Sequence, residues 1–577
     1  MANSFPIEKT AARSWIYNES PPGSPNISQK ILYVADLYAA GKHASQQPQA
    51  LPVFSAQELI DYYKPEVELE IVLPGVDSSA KVIASVRPRG IEDLLNPLMV
   101  TRILSSQGDA GRALGDLVNV NQQVTASGAQ KVVREIEERI FSKDESSVVN
   151  LSEIDQTSLM GRMVNGLIVL KQLEVGEGGD VSFLSILQAK RKTERFFGGL
   201  LLTDPKFKRF QSNWLSLDSL LSFSRGYEDV SIWVLSLGIS ELEEQAYASA
   251  TGSSMFDDVY SNELGQFGGA AFTLILIGES FAERKNKDAL IQFFADLGKA
   301  SSVPVVCDPG FSLLGIESIT ELDGFENLTP RLSPKIKAIL GSGADNFLFL
   351  APSSLQSRCE LTNGVVAAYT GPSSMVFDES GGLQVVKSVI HTSSATLFYE
   401  FGRPHEKMTY ENTISYWVSV ELADQLSQFG LNTPFTDNPV SGYEFGAIRP
   451  LSVAGQFPEH LDPPDNSTKP DILALSKMLK VIHSLKTWVR EEIGSSASPD
   501  QRLAQINTRL SGYVLDSSDP DPESVKARPF RLAHVRSVQS DQQSSLFRVD
   551  LKLHAQTHQK PLAFSTDISF DSMKDKQ

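Results

Sequence analysis

Phe547-Arg548-Val549-Asp550-Leu551-Lys552-Leu553-His554 sets Phe547, Val549, Leu551 and Leu553 on one side of an extended chain and Arg548, Asp550, Lys552 and His554 on the other. After the polar stretch Thr557-His558-Gln559-Lys560-Pro561 the alternation resumes, with Phe564, Ile568 and Phe570 on one face and Ser565, Asp567 and Ser569 on the opposite one. A period of two over both runs, joined by a proline-bearing loop, predicts a half-buried β-hairpin. Two strands alone are marginal in water, so this hairpin requires more strands or a partner surface. Two readings stand: a terminal hairpin packed on its own domain, as in ordinary antiparallel sheets, or one offered to a neighbouring molecule for strand addition.

Working back from the hairpin, the next strong pattern is helical. At about 100° per residue, Ile472, Leu475, Leu479, Ile482, Leu485, Val489 and Ile493 share one broad face. Leu473, Val481 and Trp488 gather on the opposite side beside Lys477 and Lys480, so the helix is expected to bury two faces. Lys486 sits inside the main apolar face, against the pattern. The helix reads either as a core element between two layers or as one that docks a second protein by its Lys477, Lys480 and Trp488 side.

Further upstream, Asp204-Pro205 opens a helix carrying Phe207, Phe210, Trp214, Leu217 and Leu221, with proline in its first turn. Val230 to Leu237, Phe272 to Ile277 and Val303 to Cys307 read as buried strands, with a helix from Lys287 to Leu297 between the last two. Strand, helix, strand in that order predicts an α/β layer. In the front part, Lys30 to Leu37 reads as a buried strand, Ser55 to Tyr63 as a capped helix, and Val67 to Leu73 as an alternating strand before a turn at Pro74-Gly75. Ser127 to Phe141 reads as an amphipathic helix ended by the polar run from Ser142 to Ser147. Residues 1–28 are polar and proline-rich apart from the strand-like island Ser14-Trp15-Ile16-Tyr17-Asn18, whose large apolar side chains need a surface to land on.

These readings give a mixed α/β (α+β), multi-domain chain: an arm over 1–28, a unit over 29–145, an α/β unit over 146–432, a surface connection over 433–470 rich in Pro, Gly, Asn and Asp, and a helix-plus-hairpin unit over 471–577. A length of 577 residues is too great for one core and fits roughly three to four domain-sized units. With 41% hydrophobic and 21% charged residues the composition is that of a globular protein. The net charge of -18 opposes any general affinity for nucleic acid or anionic membranes. Cys307 and Cys359 are the only cysteines, which fits a reducing compartment, and no apolar run is long enough to span a bilayer. The expectation is a cytoplasmic protein with no membrane insertion and no nucleic-acid partner.

Catalytic signals are missing. The sequence has no phosphate-cradling Gly-x-x-x-x-Gly-Lys-Ser/Thr, no Gly-x-Gly-x-x-Gly and no Gly-x-Ser-x-Gly elbow. Of the eight histidines only His554 and His558 lie close together, one in a strand and one in a loop, which is no metal-ligand arrangement. Acidic pairs such as Asp257-Asp258 and Glu243-Glu244 read as solvated surface. No catalytic residue, metal or cofactor is expected. The rival from another class is a cytoplasmic α/β enzyme with a dimerising hairpin, which requires a pocket with perturbed ionisable groups.

Several blocks, in order, resemble the sheath proteins of bacterial type VI secretion systems, the small and large subunits called TssB and TssC (VipA and VipB). The large-subunit likeness begins near Leu151. Asn262-Glu263-Leu264-Gly265-Gln266-Phe267-Gly268-Gly269, followed by Leu276-Ile277-Gly278, is similar to that subunit's Phe-Gly-Gly and Ile-Gly pattern. Phe210 and Trp214 resemble its tryptophan helix, with Leu215-Ser216 where the family has Arg-Gly. Val303 to Val306 with Leu314 to Leu322, then Arg490 to Gly494, then Lys526 to Phe530 resemble successive later blocks. At the front, Ser14 to Glu19, Ile31 to Leu37 with Gly41, and Arg87 to Leu104 resemble the small subunit.

The resemblance implies a fusion of the two subunits into a sheath protomer, with a small-subunit-like unit over 29–145 and a large-subunit-like unit over 146–432. It implies a helical homo-oligomer around an inner tube, contracting to expel it, with a baseplate and a recycling AAA+ ATPase as further partners. Ser14 to Asn18 and the terminal strands, with Phe547, Val549, Leu551, Leu553, Phe564, Ile568 and Phe570, are then the inter-protomer strands, and Lys477, Lys480 and Trp488 the tube contact. The sheath of a phage-tail-like injection device would share this mechanism.

Overall fold

The computed structural model describes, short breaks aside, residues 29–38, 49–72, 81–107, 197–311, 334–358, 376–395, 413–435, 445–451, 471–491, 499–517, 524–538, 546–553 and 563–569. The front part gives β1 (Gln29–Ala35), β2 (Leu51–Val53), α1 (Ala56–Tyr63), β3 (Val67–Val72), β4 (Lys81–Val86), α2 (Ile91–Leu95) and β5 (Thr101–Gln107). The middle gives α3 (Pro205–Ser224), β6 (Val230–Ser236), α4 (Ile239–Ala246), β7 (Leu274–Ser280), α5 (Lys287–Ser301), β8 (Val305–Asp308), α6 (Pro334–Ile339), β9 (Leu348–Leu350), β10 (Leu355–Arg358), β11 (Val376–Glu379), α7 (Gly381–Ala395), β12 (Thr413–Ile414) and α8 (Val420–Gln428). The last part gives α9 (Ile472–Glu491), α10 (Pro499–Ser511), β13 (Phe530–Val538), β14 (Leu546–Leu553) and β15 (Ala563–Ser569). The chain is mixed α/β with several sheets, as its patterning implies. The expected helix over Ser127 to Phe141 and the island Ser14 to Asn18 lie outside the described residues.

The body is a six-stranded sheet in the order β2-β6-β1-β7-β8-β9. It is parallel throughout except for β2, which runs antiparallel to β6. Its strands are continuous apolar runs because both faces are covered. Ile31, Tyr33, Ile232, Val234, Leu274, Leu276, Val306 and Phe349 enter one core, against α3, α7 and α9. Leu32, Val34, Trp233, Leu235, Ile275, Ile277, Val305, Cys307, Leu348 and Leu350 enter the other, with α4, α5 and α8. β1 comes from the front of the chain yet lies between β6 and β7, so the expected unit 29–145 contributes strands to the sheet of the expected unit 146–432.

Local chemistry fixes these elements. Asp204 accepts from the amides of Lys206 and Phe207 at 2.9 and 3.0 Å, and Pro205 occupies the first turn, so α3 starts where the sequence predicts. Ser55 caps α1 by accepting from the Glu58 amide. The alternation of β3 puts Val67, Leu69 and Ile71 inward, and with β4 and β5 it makes an antiparallel sheet packed on the same core as α3. A third small sheet has the order β11-β10-β12, and the last is β13-β14-β15.

The tryptophan helix is tied to the ends of two body strands. Trp214 is fully buried and donates its Nε1–H to the Leu37 carbonyl at 3.1 Å. Asn213 donates to the Asp36 carbonyl and to Glu279, and the Tyr33 hydroxyl donates to the Asn213 carbonyl at 3.0 Å. Glu279 also accepts the Asp36 amide at 2.7 Å. Burial raises the Glu279 carboxyl above the usual range, opposed in part by that backbone bond. Gly278 has a steric reason: a Cβ there would meet the Tyr33 hydroxyl at 2.5 Å.

The stretch 433–470 departs from expectation. Its described residues Thr433, Phe435, Phe445, Ile448 and Leu451 are buried rather than on the surface. The composition that suggests a surface connection reflects irregular backbone, and that backbone is satisfied internally. Asn432 donates from Nδ2 to the carbonyls of Leu350, Gly430 and Arg449, and accepts from the Arg449 amide at 2.8 Å.

Candidate assembly surfaces

The predicted hairpin is present as β14 and β15, and its register sets the two predicted apolar faces side by side: Phe547 faces Ile568 and Leu551 faces Phe564. A third strand, β13, pairs with the other side of β14, with Val535 opposite Val549 and Ala533 opposite Leu551. The hairpin therefore gains its third strand from its own chain. Val549 and Leu551 are 1% and 2% exposed and join the core of α10 residues Ile506 and Leu510. Leu553 ends β14 opposite Phe530. Phe570 and Ser14, Trp15, Ile16, Tyr17 and Asn18 lie outside the described residues.

The two outer edges of this sheet differ. Along β13, Phe530 receives the Leu515 amide on its carbonyl at 2.9 Å and donates its own amide to the Tyr513 carbonyl. Further on, Asn507 of α10 accepts the Val535 amide on Oδ1 and donates Nδ2–H to the Val535 carbonyl, both at 2.9 Å. Along the outer edge of β15, no strand pairs among the described residues. Antiparallel pairing alternates between pairs that exchange backbone bonds and pairs that do not. Val535 turns its amide and carbonyl outward to Asn507, so Val549 turns its own toward β15 and exchanges with Thr566. Ser565 and Asp567 then aim their backbone groups at the outer edge.

α9 holds the third candidate surface. Ile472, Leu475, Met478, Leu479, Ile482 and Leu485 are buried, and Val481 is buried on the second face, so the helix lies between layers as one of its two readings has it. Trp488 is half-buried against the core, with the Arg509 guanidinium 5.4 Å from its ring centroid. Lys480 is half-buried, and Lys477 is on the same helix. The structure thus gives Trp488 an intramolecular partner.

Lys486, the anomaly of the apolar face, has an internal destination. Only 9% exposed, it donates to Ser302 Oγ at 3.0 Å and stands 4.9 Å from the centroid of the Tyr260 ring. His483, one turn earlier and 8% exposed, donates Nε2–H to the Ser302 carbonyl at 2.9 Å. Ser302 caps the end of α5 in the left-handed region, φ 57°, so a cation stands beside a helix C-terminus. Burial pushes Lys486 down to about 8. Burial, and then repulsion by Lys486, pushes His483 down to about 3, so its ring is neutral. Among the described residues no carboxylate pairs with Lys486. The sequence signal for this seam was the misplaced lysine; nothing singled out Ser302 or Tyr260 as its partners.

Lys30 makes a second buried junction. Its ammonium donates to Glu263 at 2.6 Å and to the Ala270 carbonyl, 3.9 Å from the centroid of the Trp233 ring and 4.3 Å from that of Phe272. Desolvated cation–π contacts of this kind contribute about 2 kcal/mol. A front-strand lysine is thereby locked to the block that begins at Asn262.

The perturbed groups named here are engaged in packing and in bonds to backbone. Among the described residues no three His, Cys, Asp or Glu side chains are placed to hold a metal, and no helix is long and apolar enough to cross a membrane.

Residues 199–335 match the family described as VipB: EvpB/VC_A0108, tail sheath N-terminal domain, and residues 467–571 match VipB_2: EvpB/VC_A0108, tail sheath gpW/gp25-like domain. The chain is a tail sheath protein of the contractile injection and secretion systems. Its matched domains are structural, not enzymatic. The first spans α3 to the start of α6, and the second spans α9, α10 and the C-terminal sheet, so His483 and Lys486 of one meet Ser302 and Tyr260 of the other. The chain is also similar to a solved sheath complex of an extracellular contractile injection system, PVC, in the contracted state, with 11% identity, a TM-score of 0.34, and coverage of 61% of this chain and 81% of that one. No curated protein matches this chain.

Proposed function

We propose that this chain is the sheath protomer of a type VI secretion system, with a small-subunit-like front (29–145) and a large-subunit-like remainder (from 146) fused in one polypeptide. Copies join by strand addition into a helical sheath around an inner tube in the cytoplasm, and contraction of the lattice expels the tube. Ser14 to Asn18 of one copy is the donor segment, and the sheet β13-β14-β15 of a neighbour is the acceptor. Lys477 and Lys480 face the tube. A baseplate and a recycling AAA+ ATPase complete the set of partners.

The observation that carries this reading is the outer edge of β15, which has no strand beside it among the described residues, in a sheet lying within a matched sheath domain. Main-chain hydrogen bonds made there would hold neighbours together while leaving each body free to pivot. The fusion is supported by β1, a front strand seated between β6 and β7 and pinned by Lys30 to Glu263. Negative-stain microscopy tests the proposal. The full chain is expected to form tubes with cogwheel cross-sections, and a chain lacking residues 1–20 to form dispersed protomers; tubes from the shortened chain would refute the donor role.

A further inference from the structure

The C-terminal sheet treats its two edges unequally, and one side chain makes the difference along most of β13. Asn507 offers Val535 one acceptor and one donor, each at 2.9 Å, which is what the backbone of an adjoining strand would offer. The contact has no other evident function: Asn507 projects from α10, whose packing is carried by Ile506 and Leu510. At the start of β13 the stretch Tyr513 to Leu515 closes the edge by its own backbone. The molecule uses the same chemistry in its body, where Asn432 bonds the outer carbonyl of β9.

We propose that Asn507 is an edge guard: by occupying the backbone of Val535 it closes β13 to added strands and leaves β15 as the acceptor edge, so that each copy receives one strand from one neighbour. This rests on the strand-addition reading above and names the residue that decides which edge receives. A sheet with both edges open would accept strands on both sides, and copies would then branch or associate laterally. A side-chain amide suits the task because it satisfies both backbone groups without extending the sheet. Aspartate would keep the acceptor and lose the donor, and alanine would lose both.

Hydrogen exchange on the full chain and on Asn507→Ala tests the guard directly. Loss of a bond of about 1.4 kcal/mol is expected to speed exchange of the Val535 amide about tenfold, with the Val549 amide unchanged. By microscopy, Asn507→Ala should give branched or laterally fused assemblies where the unaltered chain gives separate tubes, and Asn507→Asp a milder form of the same defect. Should Asn507→Ala prove unstable, Asn507→Asp carries the same comparison. Equal exchange of Val535 in the unaltered and altered chains, or tubes of Asn507→Ala indistinguishable from the unaltered ones, overturns the guard. If the full chain forms no tubes at all, the strand-addition reading fails, and the exchange comparison alone still decides whether Asn507 shields Val535.

Discussion

The six-stranded body and the three-stranded C-terminal sheet solve the edge problem in opposite ways. In the body, β2 is three residues long with Pro52 at its centre, and β9 is covered by Asn432 and by the Leu451 amide, which donates to the Leu348 carbonyl at 2.9 Å. Short strands, proline and covered carbonyls each prevent sheet extension. The C-terminal sheet closes β13 with a side chain and carries no strand beside β15 among the described residues. A closed body can act as a rigid unit, and one open edge gives that unit a directional joint. The contrast separates residues that hold the protomer together from residues that hold protomers to one another.

The largest effect should come from the body. Trp214→Ala removes a fully buried indole and its bond to Leu37, and is expected to cost about 3–5 kcal/mol. A lower melting temperature, with loss of assembly only as a consequence of unfolding, would place Trp214 on the body's side of the comparison. Asn432→Ala leaves the Leu350 and Arg449 backbone groups without their partner and should cost about 2–4 kcal/mol. Self-association through the uncovered β9, seen by light scattering, would show that the body edge is closed by that residue.

The seam between the two sheath domains gives a smaller effect of opposite sign. Lys486 is held well below its ordinary value, so keeping its charge at pH 7 costs on the order of 3 kcal/mol. The folded state releases this proton more readily than the unfolded one, so its penalty is full below pH 8 and fades as pH rises from about 8 toward 10.5. His483, pushed down to about 3, resists protonation in the folded state, so stability falls as pH drops below 6.5 toward 3. Lys486→Met is expected to raise the melting temperature at pH 7 by about 1–3 kcal/mol of added stability, with the advantage shrinking above pH 8. An alkaline rise that persists unchanged in Lys486→Met would assign it to other groups.

Sequence patterning made the local elements legible. The Asp204-Pro205 start of α3, the alternation of β3, the body strands and the terminal hairpin all follow from caps and periods that a few neighbouring residues impose. Long-range pairing was not legible in the same way. β13 has its alternation broken by an irregularity between Phe530 and Leu532, and only its pairing with β14 makes it a strand. The place of β1 inside the body sheet, the burial of the 433–451 residues and the guarding bonds of Asn507 join residues far apart in the chain. Lys486 was visible as a fault in a pattern, but the carbonyl and ring it reaches lie over 180 residues upstream.

The joint itself is tested most directly by Asp567→Pro. The alternation of pairing aims the Asp567 amide away from β14, so proline there removes an outward donor and no bond within the sheet. Negative-stain microscopy alongside a melting curve is the decisive measurement. A protein that melts within about 0.5 kcal/mol of the unaltered chain yet forms no tubes is the predicted result; uniform tubes from folded Asp567→Pro would contradict strand addition at β15.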